Sequence, residues 1–208
     1  MIIVLIGPPG VGKGTQGALI AQEFNIKHIV AGDLLREKSQ DDRDLQEMLS
    51  SGNLVPEHYI NDMIASEISA LNDHCILDGY PRTISQAKYL ESLNIETKVL
   101  YFNCPHDVLI KRISGRFYCE KCGTIYNRYF KNTDVEKVCD ICQSDSFKVR
   151  QDDHENIVAR RLSQYEEKTH DLIEFYNTMK IMNLINADRD MESIKKESID
   201  IVSSFLMS

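Results

Sequence analysis

The sequence has no long apolar run. The longest, Met1–Ile6, is six residues, far short of the ~18 that a membrane span requires. No basic stretch precedes it, so a secretory leader is not expected. Positive charge is in deficit: 24 Lys and Arg against 32 Asp and Glu give a net charge of −8. That excludes a global basic field drawing the chain to nucleic acid or an anionic membrane. Phosphates would have to be held by local clusters of Lys, Arg and backbone N–H groups. There is no internal repeat and no low-complexity linker, so 208 residues fit one sizeable core with one or two small appendages. No serine elbow or Cys/His pair offers a nucleophile. His28, His58, His74, His106, His154 and His170 share no metal or triad spacing and read as surface or packing residues. A cytoplasmic monomer is the expectation.

Apolar runs alternate with amphipathic segments. Met1–Ile6, Lys27–Val30, His74–Leu77, Lys98–Phe102 and Ile181–Ile185 read as short buried strands. Thr15–Phe24, Tyr59–Leu71, Thr83–Leu93 and Ile157–Met179 read as helices. Strands alternating with helices imply an α/β fold with a five-stranded parallel sheet covered on both faces. Two stretches interrupt the pattern. Gly32–Pro56 is polar and helical. Gly115–Asp153 carries four cysteines, several aromatics and little helical periodicity, and reads as a small β-rich insertion.

The first strand runs directly into Gly7-Pro8-Pro9-Gly10-Val11-Gly12-Lys13-Gly14-Thr15, with a helix after it. Strand, glycine-rich loop and helix N-terminus, in that order, make a phosphate cradle. The glycines let successive N–H groups turn inward, and the helix dipole adds about half a positive charge. Lys13 can reach between β- and γ-phosphates. Gly14 stands where such loops usually have a Ser or Thr to ligate Mg²⁺, and Thr15 comes one residue late. Mg²⁺ is then expected on phosphates and waters, which suits its reluctance to dehydrate. Asp78, at the end of a buried strand, is the acidic partner expected for those waters.

Cys119-x2-Cys122 is followed, 16 residues on, by Cys139-x2-Cys142. This is a four-cysteine zinc spacing, with Gly123 suited to a tight knuckle. Four thiolates leave no open coordination position, so the metal would be structural; an iron–sulfur cluster is the other chemistry four cysteines serve. Cys75 and Cys104 read as inert core thiols. Residues 115–153 hold seven basic and seven acidic residues, so any phosphate contact there must come from particular arginines.

Four runs occur together: GPPGVGKGTQ (7–16), AGDLLRE (31–37), GNLVP (52–56) and LDGYPRT (77–83). With VRQDD (149–153) and RRL (160–162), they make the chain resemble the nucleoside monophosphate kinases. Within that group it is similar to bacterial adenylate kinases of the long-lid, zinc-bearing type, almost end to end. The resemblance implies a P-loop core over 1–29, 56–114 and 154–208. It also implies a monophosphate-binding segment over 30–55 and a mobile zinc lid over 115–153. The implied reaction is ATP + AMP ⇌ 2 ADP with Mg²⁺. Closure of the lid would exclude water and so prevent hydrolysis.

By position in those motifs, ATP would be held by Gly10, Val11, Gly12, Lys13, Gly14, Thr15, Arg112, Arg116, Ile125, Tyr126 and Arg189. Arg112 would lie near the base and Arg116 on the phosphates. AMP would be held by Ala31, Arg36, Asn53, Leu54, Val55, Gly79, Tyr80, Pro81 and Arg82. Gln86 would read the adenine, and Arg150 and Arg161 would span the transferred phosphoryl group. Lys13, Asp78, Arg82, Arg116, Arg150 and Arg161 form the expected catalytic set. Guanidinium forks suit phosphate oxygens, and phosphoryl transfer needs positioning and positive charge rather than a nucleophilic side chain. Asp152 and Asp153 are placed to receive Arg116 and Arg150 when the lid is open, or to act as hinge charges.

Two other readings compete. Ala31 stands where adenylate kinases usually carry Thr and UMP/CMP kinases often carry Ala, so a UMP/CMP-type kinase is the nearest alternative. From another class, a zinc-ribbon module could use ATP as a switch to bind nucleic acid or protein. The negative charge, the neutral lid and LDGYPRT weigh against the module.

Overall fold

The computed structural model describes residues 1–50, 55–71, 73–150, 153 and 155–207. The chain runs β1 (Ile2–Ile6), α1 (Lys13–Phe24), β2 (Lys27–Val30), α2 (Ala31–Lys38), α3 (Arg43–Ser50) and α4 (Glu57–Ser69). It continues through β3 (Cys75–Asp78), α5 (Ile84–Ser92), β4 (Thr97–Asn103), α6 (His106–Ser114), β5 (Arg116–Cys119) and β6 (Ile125–Asn127). The last elements are β7 (Phe147–Lys148), α7 (Glu155–Thr178), β8 (Met182–Asn186) and α8 (Met191–Leu206).

Every residue of β1 is buried, as expected for a strand covered on both faces. Alternate side chains serve opposite layers. Ile2, Val4 and Ile6 join one apolar cluster, and Ile3 and Leu5 the other. The first cluster is closed by Ile60, Ile64 and Ile68 of α4, Ala87 and Leu90 of α5, and Leu172 and Tyr176 of α7. The second is closed by Ile20 of α1, Leu109 and Ile113 of α6, and Ile194, Val202 and Phe205 of α8. The four-residue spacing in α4 puts its isoleucines on one stripe. Each such side chain contributes about 1.5–3 kcal/mol when fully buried.

The sheet order is β2-β3-β1-β4-β8, and all four pairings are parallel. The carboxyl ends of all five strands therefore lie on one edge. From there α1 leaves β1 toward the second cluster, while α5 follows β3 toward the first. The two connections part between adjacent strands, and a crevice opens where ligands of such sheets gather.

β5, β6 and β7 form a separate antiparallel sheet in the order β6-β5-β7. Its core is Cys119, Tyr126 and Cys139, with Phe117, Cys142 and Phe147 packed around them. The expected β-rich insertion is thus present. The helical stretch after Gly32 resolves into α2 and α3. Two helices went unread in the sequence. α6 spans only nine residues, about two turns, and α8 is rich in Ile, Val and Ser, which lower helix propensity. No helix among the described residues is long and apolar enough to cross a membrane.

Candidate active site and metal centre

The loop after β1 curls as its glycines allow. Gly10 has φ +79°, and a Cβ there would lie 2.3 Å from Ile113 Cγ1. Gly12, at φ 105°, caps α1. Both positions exclude ordinary side chains. Lys13 opens α1 and folds back, its Nζ donating to the carbonyls of Gly7 at 2.6 Å and Pro8 at 3.0 Å. Burial pulls its ammonium down to about 8. Asp78 opposes that shift, and the positive charges of Arg82, Arg161 and Arg116 add to it. Asp78 is 6% exposed at the end of β3, with His28 Nε2 3.8 Å from its Oδ2. A Cβ on Gly14 would sit 3.4 Å from the same oxygen, so this carboxylate faces the start of α1. Thr15 points to solvent.

Beside Lys13 lies a cavity of about 180 Å³. Its lining includes the expected Lys13, Ala31, Arg36, Val55, Gly79, Tyr80, Pro81, Arg82, Gln86 and Arg161. Arg36 is paired with Asp33. Arg82 Nε donates to Gly79 O at 2.9 Å. The Arg82 backbone N–H donates to Gln86 Oε1 at 2.7 Å, which fixes the orientation of the buried amide. Thr83 caps α5 through the Gln86 N–H, and its hydroxyl donates to Glu57 Oε1 at 2.6 Å. That bond, joined by one from Ser85, holds the Glu57 carboxyl below its ordinary range. Tyr80 is buried, with its hydroxyl donating to Asn61 Oδ1 at 2.7 Å.

Among the lining residues that the sequence did not point to, four come from α7: Gln164, Tyr165, Lys168 and Thr169. With Arg161 they fall at i, i+3, i+4, i+7 and i+8 of α7, one face of a helix. That periodicity, started from Arg161, was the signal that could have found them.

Other expected residues lie outside this cavity. Arg116 Nε donates to Asp153 Oδ2 at 2.7 Å, and its terminal nitrogen bonds the other carboxylate oxygen. Arg161 Nη1 lies 3.6 Å from Asp153 Oδ1, and the Asp153 side chain is fully buried. Asp153 thus receives Arg116, as expected, and pairs also with Arg161, which was not expected there. Arg112 donates to Val11 O at 3.2 Å and lies over the Phe130 ring, 5.6 Å from its centre. Arg189 is held by Asn186 O and Glu197. Arg150 is half-buried and Ile125 lies in β6; neither lines the cavity. Asn53, Leu54 and Asp152 lie outside the described residues.

The Tyr126 side chain is turned into the cysteine unit, 1% exposed. The sulfurs of Cys119, Cys122, Cys139 and Cys142 all lie within 4.8 Å of one another. Two of the pairs, Cys119–Cys142 and Cys122–Cys139, are 3.5 Å apart. A tetrahedron of thiolates about 2.3 Å from one ion has sulfurs about 3.8 Å apart, so the donor set fits a single metal ion. Cys75 is different: burial pushes its thiol up to about 11, and Cys104 is raised the same way. Both are unreactive core thiols.

A glycine-rich loop between a parallel strand and a helix, its lysine facing a cavity ringed by arginines, defines a P-loop phosphotransferase. The adenylate kinase family model matches residues 5–181. The chain is 38% identical over 202 residues to an adenylate kinase of Rickettsia africae (strain ESF-5), covering 94% of this chain and 95% of that protein. It is 39% identical over 203 residues to that of Rickettsia bellii (strain RML369-C), with 94% and 95% covered. For Rickettsia typhi (strain ATCC VR-144 / Wilmington) the identity is 36% over 205 residues, with 95% and 96% covered. The chain belongs to the adenylate kinase family.

Proposed function

We propose that the chain transfers the γ-phosphoryl group of MgATP to AMP, reversibly, giving two ADP. The observation that carries this is that Lys13, Arg36, Arg82, Arg161 and Gln86 line one cavity beside Asp78. An AMP phosphate oxygen attacks the γ-phosphorus while the bond to the β-phosphate oxygen breaks. The attacking oxygen is already ionised at neutral pH, so no general base is needed. The chain's task is alignment and charge. Lys13 and the loop N–H groups hold the donor phosphates, joined by Arg116 when the lid closes; Arg36 and Arg82 hold the acceptor phosphate, and Arg161, joined by Arg150 on closure, spans the transferred group. Mg²⁺ bound with ATP supplies further charge neutralisation, and Asp78 is suited to hold its waters. Gln86 supports AMP over pyrimidine monophosphates, because a mismatched base would leave its buried amide unpaired.

The finer reading divides the chain into a core (1–29, 56–114, 154–208), a monophosphate-binding segment (30–55) and a lid (115–153). The lid holds Zn²⁺, the ion that suits four thiolates at this spacing. A reducing cytoplasm suits its cysteines, and a single chain carries every group named. The test is direct. ATP, AMP and Mg²⁺ mixed with the protein should yield ADP, and Lys13→Met should remove most of that activity while leaving a folded protein. A folded variant with near-normal turnover would refute the assignment.

A further inference from the structure

We infer that Tyr126 is a positioning residue of the metal centre: its buried hydroxyl donates a hydrogen bond to the Cys139 thiolate and governs how tightly the metal is held. The inference rests on the reading that the four cysteines bind Zn²⁺.

The direction of the bond follows from its neighbours. The Tyr126 oxygen lies 3.3 Å from Cys139 Sγ. It also accepts the backbone N–H of Asp140 at 3.0 Å. With one lone pair so engaged, and the residue 1% exposed, the hydroxyl proton is directed to the sulfur. A metal-bound thiolate has no proton of its own to offer, so in the loaded site the tyrosine is the donor.

A hydrogen bond here has work to do. Four thiolates around a divalent ion leave a net charge of −2, and Cys139 is itself 0% exposed, so water does not spread that charge. The backbone N–H groups of Ile141 and Cys142 already face this sulfur, and the phenol adds a side-chain donor from β6. Tyr126 is well anchored for it. Its ring centre lies 5.5 Å from that of Phe117 and 5.8 Å from that of Phe147, and these three rings are the apolar core of the small sheet. Cys122 offers an internal comparison, because its sulfur is 3.1 Å from the Thr124 hydroxyl but is exposed. Water can replace Thr124. It cannot readily replace Tyr126.

The test compares Tyr126→Phe with Thr124→Val, both in the full chain. Metal content is measured first, then Zn²⁺ affinity by competition with a chelator. Outer-shell partners of metal ligands typically change affinity ten- to 100-fold. Tyr126→Phe should therefore keep one metal per chain but bind it at least about tenfold more weakly, and Thr124→Val should change it much less. Co²⁺ substitution gives a second readout that needs no activity. Loss of the donor raises the sulfur lone-pair energy, so the thiolate-to-cobalt band should shift to longer wavelength in Tyr126→Phe only. Equal affinity and an unshifted band would overturn this inference and leave the metal reading intact. A wild-type protein that binds no metal would overturn both.

Discussion

The backbone N–H of Arg82 donates to Gln86 Oε1 at 2.7 Å, so the arginine proposed for the acceptor phosphate and the proposed base reader are joined through one bond. With its oxygen tied, the amide presents its NH₂ to the cavity. A purine N1 that carries a lone pair can accept from it, and an N1–H cannot. Gln86→Glu keeps an acceptor for Arg82 and removes the donors. It should lower kcat/KM for AMP by about 1–3 kcal/mol, roughly five- to 150-fold. A panel of nucleoside monophosphates with ATP as donor checks this. Unchanged preference for AMP would remove Gln86 from the role.

Lys13 gives a pH-dependent prediction. Burial, only partly opposed by Asp78, lowers its ammonium from 10.5 to about 8. Nucleotide phosphates favour the charged form and raise it again. Binding of ATP should therefore take up most of a proton at about pH 9 and little at about pH 7. The same shift has a sign in folding. Between about 8 and 10.5 the unfolded chain binds more protons than the folded one, so this group's destabilising contribution, fully present below 8, is relieved as pH rises through that window. Calorimetry in buffers of different ionisation enthalpy measures the uptake, and Lys13→Met should abolish it. Equal uptake by that variant would assign the proton elsewhere.

Asp153 is a fully buried carboxylate that receives Arg116 and lies 3.6 Å from Arg161. Removing one partner from a buried charge cluster leaves the others uncompensated. Asp153→Asn keeps the shape and removes the charge. We expect a loss of about 2 kcal/mol, read as a fall of roughly 4–8 °C in Tm for a chain of this size. The arginines should also lose alignment, so kcat should fall more than KM rises. A variant with unchanged Tm would show that the cluster contributes nothing to stability.

The sheet was legible because its strands are covered on both faces and so spell continuous apolar runs, with β1 running straight into the glycine-rich loop. The cysteine cluster was legible because thiolate spacing constrains a knuckle more tightly than propensity does. What escaped had weaker local signals. α6 is too short for a clear period, and α8 is stabilised by packing against α1 and β8 rather than by its composition. Gln164 and Lys168 are ordinary polar helix residues in isolation; only the angle at which α7 crosses the crevice makes them cavity walls. Tyr126 illustrates the reverse. Motif position suggested a nucleotide contact, but a buried strand position opposite Phe117 sends its side chain to the cysteines.

Metal removal should separate the small sheet from the rest of the protein. Its strand β7 has two residues, and half of its core consists of cysteines. So small an apolar core cannot offset the entropy of ordering the segment. Structural zinc, by contrast, contributes about 10–16 kcal/mol of apparent binding in small peptide domains. The two main clusters share no such dependence. Chelation, or Cys139→Ser, should therefore abolish amide-exchange protection across residues 116–148 while β1 and β4 stay protected. Transfer activity should fall at higher temperature first, because Arg116 begins β5 and loses its anchorage when that strand frays. Hydrogen exchange read by mass spectrometry resolves the two regions. Undiminished protection of the small sheet without metal would mean that its aromatic core is self-sufficient and that the cysteines have another purpose.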